Sequence, residues 1–314
     1  MSAVIATIGP VFGLIALGYL ARRSGYLGEA AVRGLPDFIF RLAMPVMLFR
    51  TIGTAQLPSV APGLILVSFF GAVAIAWAIA TVATIWPLGR PAQDGSGIAM
   101  GATFSNSVNI GLPITLGHFG EQAAPVLALI ILFDSAVLWL VATIHYAVTE
   151  HGERLSLGGL IANLARQLAT NPIILGCIAG LVWQIGGWSF PAVVNTMINM
   201  LAAAAIPGAL VAMGLALSSY SMSGQFASVL AITAIKLLAM PIVAYLLATH
   251  VFGLPPLAAC VVTLLAGMPV GANAYLFASS YGRAPAAVSG AIALSTPLAV
   301  ITLSTLLVLL GGPR

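Results

Sequence analysis

The chain has 314 residues, of which 61% are hydrophobic and 6% charged, and its formal net charge is +4. A domain that folds in water carries about 25% charged residues, so a soluble fold of this length lacks the polar coat it needs and lipid becomes the natural solvent. The basic residues sit one or two at a time between apolar runs, with no basic patch, which excludes nucleic acid as a partner.

A membrane-spanning helix needs about 20 mostly apolar residues. Ten such stretches follow in chain order: 3–21, 32–52, 62–86, 96–117, 123–147, 158–184, 192–218, 226–250, 256–281 and 287–311. The first carries no side-chain charge and is followed by Arg22 and Arg23. A secretory leader has its charge ahead of the apolar run, so this segment reads as a membrane helix. Arg41 and Arg50 lie toward the two ends of the second stretch and read as interfacial anchors. The fourth contains Ser105, Asn106, Ser107, Val108, Asn109, Ile110, Gly111, Leu112 and Pro113, an unusual density of amides and helix breakers at mid-membrane depth. Asp134 lies near the middle of the fifth. The polar linker Glu150, His151, Gly152, Glu153 and Arg154 then reads as a solvated connection. Gly186, Gly187 and Pro191 separate the sixth stretch from the seventh, and the serine-rich run 218–224 separates the seventh from the eighth. Lys236 lies well inside the eighth, and the ninth is interrupted by Gly267, Met268, Pro269, Val270, Gly271, Ala272 and Asn273.

Arginine placement sets the expected orientation. With the N-terminus outside, the cytoplasmic ends hold Arg22, Arg23, Arg33, Arg90, Arg154, Arg166 and Arg283, against Arg50 and Arg314 on the other side. That asymmetry favours both termini on the periplasmic or extracellular side of a bacterial inner membrane, with the chain multi-pass.

The chain also repeats with an offset of 162 residues, which relates Pro10 to Pro172, Pro45 to Pro207, Gly18 to Gly180, Gly25 to Gly187 and Gly120 to Gly282. The expected fold is therefore an all-α integral membrane protein of ten helices in two five-helix repeats, 1–150 and 151–314. An odd number of helices per repeat inverts the second relative to the first, as in secondary transporters.

The two irregular segments fall in the fourth and ninth helices, at matching places in the two repeats. Non-helical backbone at this depth survives when it is buried in protein or lines a cavity. Two broken helices meeting there expose half-helix N-termini suited to a carboxylate. Asn106, Asn109 and Asn273 add amide donors, while Gly111, Pro113, Pro269 and Gly271 shape the breaks. These seven residues form the expected substrate site; the plainer alternative is two kinked helices with asparagines bonding between helices. Asp134 and Lys236 are the candidate residues for coupling a proton or sodium ion, since intramembrane charges mark cavities or partners. The alternatives are a structural pair, or a Lys236 side chain reaching the cytoplasmic surface.

Other chemistry finds little support. Cys177 and Cys260 lie in apolar runs without metal-ligand spacing, and His118 and His145 lie at helix ends with no second ligand nearby. The chain has no Gly-Lys-Ser or Gly-Lys-Thr phosphate loop, no G-x-S-x-G and no HExxH, so no metal, no catalytic residue and no resident cofactor is expected.

At these positions the chain resembles the auxin efflux carrier family, which includes plant PIN carriers and many bacterial transporters. The resemblance runs along essentially the whole chain. It is carried by Leu42-Ala43-Met44-Pro45 in the second helix, by Asn106, Gly111 and Pro113 in the fourth, and by Asn171-Pro172 in the sixth. Ile206-Pro207-Gly208-Ala209-Leu210 in the seventh and Pro269-Val270-Gly271-Ala272-Asn273-Ala274-Tyr275 in the ninth complete it. Asn273 is more like bacterial members than plant ones. The resemblance implies broken, crossing fourth and ninth helices, an architecture shared with bile-acid carriers. It also implies a scaffold of helices 1, 2, 6 and 7, a transport domain of helices 3–5 and 8–10, an elevator-type motion and a homodimer. The implied substrates are small organic anions, either auxin-like acids or dicarboxylates such as malonate and malate. An alternative is a sodium-coupled symporter of larger amphipathic anions. A receptor without transport is a further alternative, and it predicts ligand binding without counterflow.

Overall fold

The computed structural model describes residues 2–54, 61–150, 166, 169–220 and 225–311, with the side chains of 2–5 left out. Its long elements are all helices. In chain order they are α1 (Ser2–Arg23), α2 (Glu29–Phe38), α3 (Met44–Gly53), α4 (Pro62–Ile85), α5 (Gly95–Thr103), α6 (Leu112–Phe119) and α7 (Ala124–Thr149). There follow α8 (Pro172–Ile185), α9 (Ala192–Leu217), α10 (Phe226–Ala234), α11 (Met240–Leu246), α12 (Pro256–Ala266), α13 (Ala272–Tyr281) and α14 (Pro285–Leu310). Among the described residues, five helical stretches are long and apolar enough to cross a membrane: Pro62–Ile85, Glu121–Thr149, Ala192–Leu217, Phe226–Val251 and Pro285–Leu310.

Several expected helices are not plain α-helices. A π turn, Ile39–Ala43, joins α2 to α3, and another, Ile235–Ala239, joins α10 to α11. In each case a proline follows within three residues, Pro45 or Pro241. A proline lacks the N–H that would close the preceding α turn, and the wider turn re-satisfies the backbone around it. The first part of the expected sixth helix, 158–165, lies outside the described residues, as do Arg154 and Arg314.

Small residues set the closest helix contacts, as expected where lipid removes the hydrophobic drive between helices. α1 packs along α9, and α3 packs along α8. On α8, a Cβ at Gly176 would lie 2.5 Å from the Pro45 carbonyl oxygen, and one at Gly180 would lie 2.7 Å from that of Phe49. Only glycine lets the two backbones approach this far. Around α5 gather α4, α7, α10, α13 and α14, and α12 packs on α4, α7 and α11. Ile98, Ala99, Met100 and Ala102 of α5 are fully buried there, with Val261, Val262, Leu264 and Leu265 of α12.

Polar atoms within the helices are mostly closed locally. Ser68, Thr84, Thr103, Thr263 and Thr296 each donate to the carbonyl four residues earlier. At one end of the molecule, Arg283 forms an ion pair with Glu150 and lies 5.7 Å from the centre of the Tyr146 ring. Arg90 pairs with Asp94 at 2.8 Å and reaches the Gln225 side chain at 2.9 Å, tying the start of α5 to the start of α10.

Candidate functional site

The two irregular segments meet. α5 ends at Thr103 and the chain is extended through Phe104 before a π turn, Ser107–Gly111, leads into α6. α12 ends at Ala266, and α13 begins after the extended Gly271. Between them Ser105 and Val270 form a short antiparallel bridge. Asn106 N donates to Pro269 O at 2.9 Å, and Gly271 N donates to Phe104 O at 2.9 Å. Two peptide groups that would be orphaned in mid-protein thus satisfy each other. Gly271 is required by the approach, because a Cβ there would lie 2.7 Å from the Phe104 ring and 3.0 Å from Ser105 O.

A cavity of about 910 Å³ opens beside this meeting point. Phe104, Ser105, Asn106, Ser107 and Asn109 line it from the first break, and Gly271, Ala272 and Asn273 from the second. α7 contributes Asp134, Ser135 and Trp139; the π turn after α2 contributes Phe40 and Arg41; the start of α8 contributes Asn171 to Ile174. The substrate-site residues expected from the sequence therefore divide. Asn106, Asn109, Gly271 and Asn273 line the cavity; Gly111, Pro113 and Pro269 support it from behind. Gly111 lets α6 pack tightly, since a Cβ there would meet Leu265 at 2.9 Å. Pro113 is buried in the first turn of α6, and Pro269 supplies the carbonyl that holds Asn106.

The polar groups on the cavity wall are unevenly used. The buried Asn106 places its Nδ2 3.5 Å from Met213 Sδ of α9, and its backbone oxygen accepts from Gly111 N at 3.0 Å. Asn273 Nδ2 lies 3.4 Å from Ser135 Oγ. By contrast Ser105 Oγ and Asn109 Oδ1 are buried without a hydrogen-bond partner, while the Ser107 hydroxyl lies beside the Asp134 carboxyl. A buried polar atom left unpaired costs about 1–3 kcal/mol, and two on one cavity wall suit a place that receives polar matter from outside the fold.

Asp134 and Lys236 interact electrostatically, so the two intramembrane charges seen in the sequence are brought together. Asp134 lines the cavity and Lys236 does not. Lys236 is fully buried, which rules out its reaching the surface. Its Nζ donates to Ala266 O at 2.5 Å and lies 3.3 Å from Met240 Sδ. Ala266 is the last residue of α12, where the helix dipole concentrates partial negative charge, so the ammonium caps the broken helix.

Among the polar lining residues that the sequence reading left out, Ser135 and Thr170 carried no signal. Arg41, read as an end anchor, sits on the Ile39–Ala43 π turn with an exposed side chain paired to Asp37, and it also lines the cavity. A charge nine residues inside an apolar stretch was the available clue.

Among the described residues no group of three or more His, Cys, Asp or Glu side chains is placed to hold a metal ion. What the wall offers is a mixture of amide donors, hydroxyls, one carboxyl and one guanidinium. That set can bind a polar solute.

Comparison with known proteins agrees. Residues 3–307 match the model of a family described as membrane transport protein. The chain is 27% identical to a protein of Rhizobium meliloti (strain 1021) named "Putative malonate transporter", over 99% of this chain and 97% of that one. It is 24% identical to an "Uncharacterized transporter" of Methanothermobacter thermautotrophicus, over 95% of each chain. It is also 20% identical to auxin efflux carrier component 8 of Arabidopsis thaliana, again over 95% of each chain. With a family model covering nearly its whole length, apolar helices of spanning length and a polar cavity at two helix breaks, this chain belongs to the auxin efflux carrier family of multi-pass membrane transport proteins.

Proposed function

We propose that the protein is a secondary transporter of small organic anions, auxin-like acids or dicarboxylates such as malonate and malate, and that the cavity at the two helix breaks is its substrate site. The observation that carries this reading is the polar cavity at the meeting of the two helix breaks, walled by Ser105, Asn106, Ser107, Asn109 and Asn273, with Ser105 Oγ and Asn109 Oδ1 unpaired. An entering carboxylate accepts from the Ser107 hydroxyl, from the NH2 groups of Asn106 and Asn109, and from the free N–H groups at the starts of the Ser107–Gly111 turn and of α13. Asp134, beside Lys236, is the group that takes up and releases the coupled proton.

The wider architecture follows the same reading: ten spans in two inverted repeats, 1–150 and 151–314, with the fourth and ninth crossing. Support comes from repeat-related residues in matching situations. Gly120 and Gly282 both end a helix at positive φ, 75° and 66°. Gly18 of α1 packs on Val211 of α9 as Gly180 of α8 packs on Phe49 of α3. The α1–α9 and α3–α8 pairs form the scaffold, and the helices around the breaks move against it in an elevator-type exchange. A homodimer in a bacterial inner membrane, with both termini outside, is the setting this reading adopts.

The test is uptake of labelled malonate and indole-3-acetate into proteoliposomes. Wild-type protein should accumulate at least one of them, and the Asn106→Leu, Asn109→Leu double variant should fall to the level of empty liposomes while keeping its wild-type unfolding temperature. Full uptake by the double variant removes the site from the mechanism. The cavity's volume of about 910 Å³ also accommodates larger amphipathic anions with sodium coupling. Uptake that requires a sodium gradient would favour that second reading.

A further inference from the structure

We propose that the cleft between α1, the end of α9 and α14 is a binding site for one anionic phospholipid, with the phosphate at Arg23 and an acyl chain lying along α1 and α14. The inference is independent of what the cavity at the helix breaks carries.

A second cavity, of about 730 Å³, lies in this cleft. Its wall repeats part of the first. Phe12, Ala293, Thr296 and Pro297 line it, and each stands 162 residues from a residue lining the first cavity, respectively Ile174, Ile131, Asp134 and Ser135. The chemistry at the matched positions differs. In place of the Asp134 carboxyl the second cavity has Thr296, whose hydroxyl is closed on Ile292 O at 2.8 Å. In place of the Ser135 hydroxyl it has Pro297. With Phe12, Ile15, Ala16 and Val300 these residues make an apolar floor. A polar solute finds little to bind on it, whereas a hydrocarbon chain does.

The polar groups gather at one end. Phe12, Ala16, Tyr19 and Arg23 are spaced by three or four residues and so share one face of α1. That face turns from apolar to polar toward Arg23, the last residue of the helix. Ser218, Ser219 and Tyr220, just beyond the last residue of α9, line the same cavity. The α14 lining residues, by contrast, lie in the middle of their helix. The cavity thus runs from helix ends, the level of the headgroups, to mid-helix, the level of the hydrocarbon. Arg22 is engaged by Glu29, whereas Arg23 has no ion pair among the described residues. The Tyr19 and Ser219 hydroxyls have no hydrogen-bond partner among them either. A free guanidinium with hydroxyls beside it, above an apolar cleft, suits a phosphate that carries acyl chains. A soluble phosphate would use Arg23 alone and leave the apolar floor uncovered.

The experiment titrates delipidated protein in detergent with three probes. Dioleoylphosphatidylglycerol has the anionic head and the chains, dioleoylphosphatidylcholine has the same chains on a zwitterionic head, and glycerol 3-phosphate has the anion without chains. Native mass spectrometry counts bound lipid, and thermal unfolding reads the stabilisation. Wild-type protein should take up one tight equivalent of the phosphatidylglycerol, at least about fivefold more tightly than the phosphatidylcholine, the size expected for one basic side chain at a membrane surface. Glycerol 3-phosphate should give no shift. Arg23→Gln should lower phosphatidylglycerol affinity by about fivefold, to the level of phosphatidylcholine, and Arg23→Lys should restore most of it by keeping the charge. Arg22→Gln should change it by less than about twofold, because that arginine is already paired. Ala16 is exposed, so Ala16→Trp fills the floor without disturbing the packing and should abolish the tight equivalent of both lipids. Four results overturn the proposal: equal binding of the two lipids, equal losses from Arg22→Gln and Arg23→Gln, a tight equivalent that survives Ala16→Trp, or stabilisation by glycerol 3-phosphate that matches the lipid's.

Discussion

The two helix breaks look alike in sequence and differ in how completely the fold satisfies them. At the second break, between α12 and α13, nearly every polar group has a partner. Lys236 caps Ala266 O, Ser295 Oγ accepts from Val270 N at 3.1 Å, Gly271 N bonds Phe104 O, and Asn273 is placed against Ser135. At the first break, between α5 and α6, the backbone is tied at Asn106, yet Ser105 Oγ and Asn109 Oδ1 are left buried and unpaired. One break is a finished joint and the other is an open one. Backbone irregularity in a membrane protein therefore has two uses, and the count of unsatisfied side-chain atoms tells them apart.

This contrast can be broken at several points. The largest effect is expected for Lys236→Met, which strips the cap from α12 and leaves Asp134 without its cation. Leaving the buried Ala266 carbonyl without its charged donor and removing the cation that acts on Asp134 costs about 3 kcal/mol, and thermal unfolding in detergent should show a marked fall. An unfolding temperature near that of the wild type would mean that the second break does not depend on its cap. Next comes Gly271→Ala, whose methyl group would meet the Phe104 ring at 2.7 Å and Ser105 O at 3.0 Å. Overpacking of this kind costs about 1–3 kcal/mol and should also pull the Asn106–Pro269 bond apart, measured by unfolding and by loss of uptake. Asn273→Ala should cost about 0.6 kcal/mol, the average for an interhelical hydrogen bond in a membrane, because its contact with Ser135 is long. The smallest change in stability is expected for Asn109→Ala, within about 0.5 kcal/mol of wild type, since its oxygen has no partner to lose. That same variant should lower anion uptake by about tenfold. A variant that is stable and inactive at the first break, beside one that is unstable at the second, would sharpen the comparison. If Asn109→Ala proved as destabilising as Lys236→Met, the distinction between the breaks would be gone.

Much of this was legible because it depends on local chemistry. Pro113, Pro269 and Gly271 each disfavour a continuous helix, and with the polar residues clustered beside them they placed the interruptions at the fourth and ninth stretches to within a few residues. The two asparagines of the first break were visible for the same reason. What they do was not, because satisfaction of a side chain depends on what packs opposite. Asn106 meets Met213 from 107 residues away, and Asn273 meets Ser135 from 138. Lys236 illustrates the point best. Its helix position allowed a surface-reaching side chain, and only the end of α12, 30 residues further along, turns it into a cap. Arg41 has the exposed side chain expected of an anchor, and only the packing of α8 against its turn puts it on the cavity wall as well.

Composition and hydropathy alone determined that this chain lives in lipid, that its elements are helices and where two of them break, since those properties follow from the cost of unpaired backbone in hydrocarbon. Tertiary structure decided which polar atoms remain unpaired, which cation caps a helix and which one faces the cavity. Those outcomes depend on contacts between residues far apart in the chain, and periodicity and spacing carry no record of them.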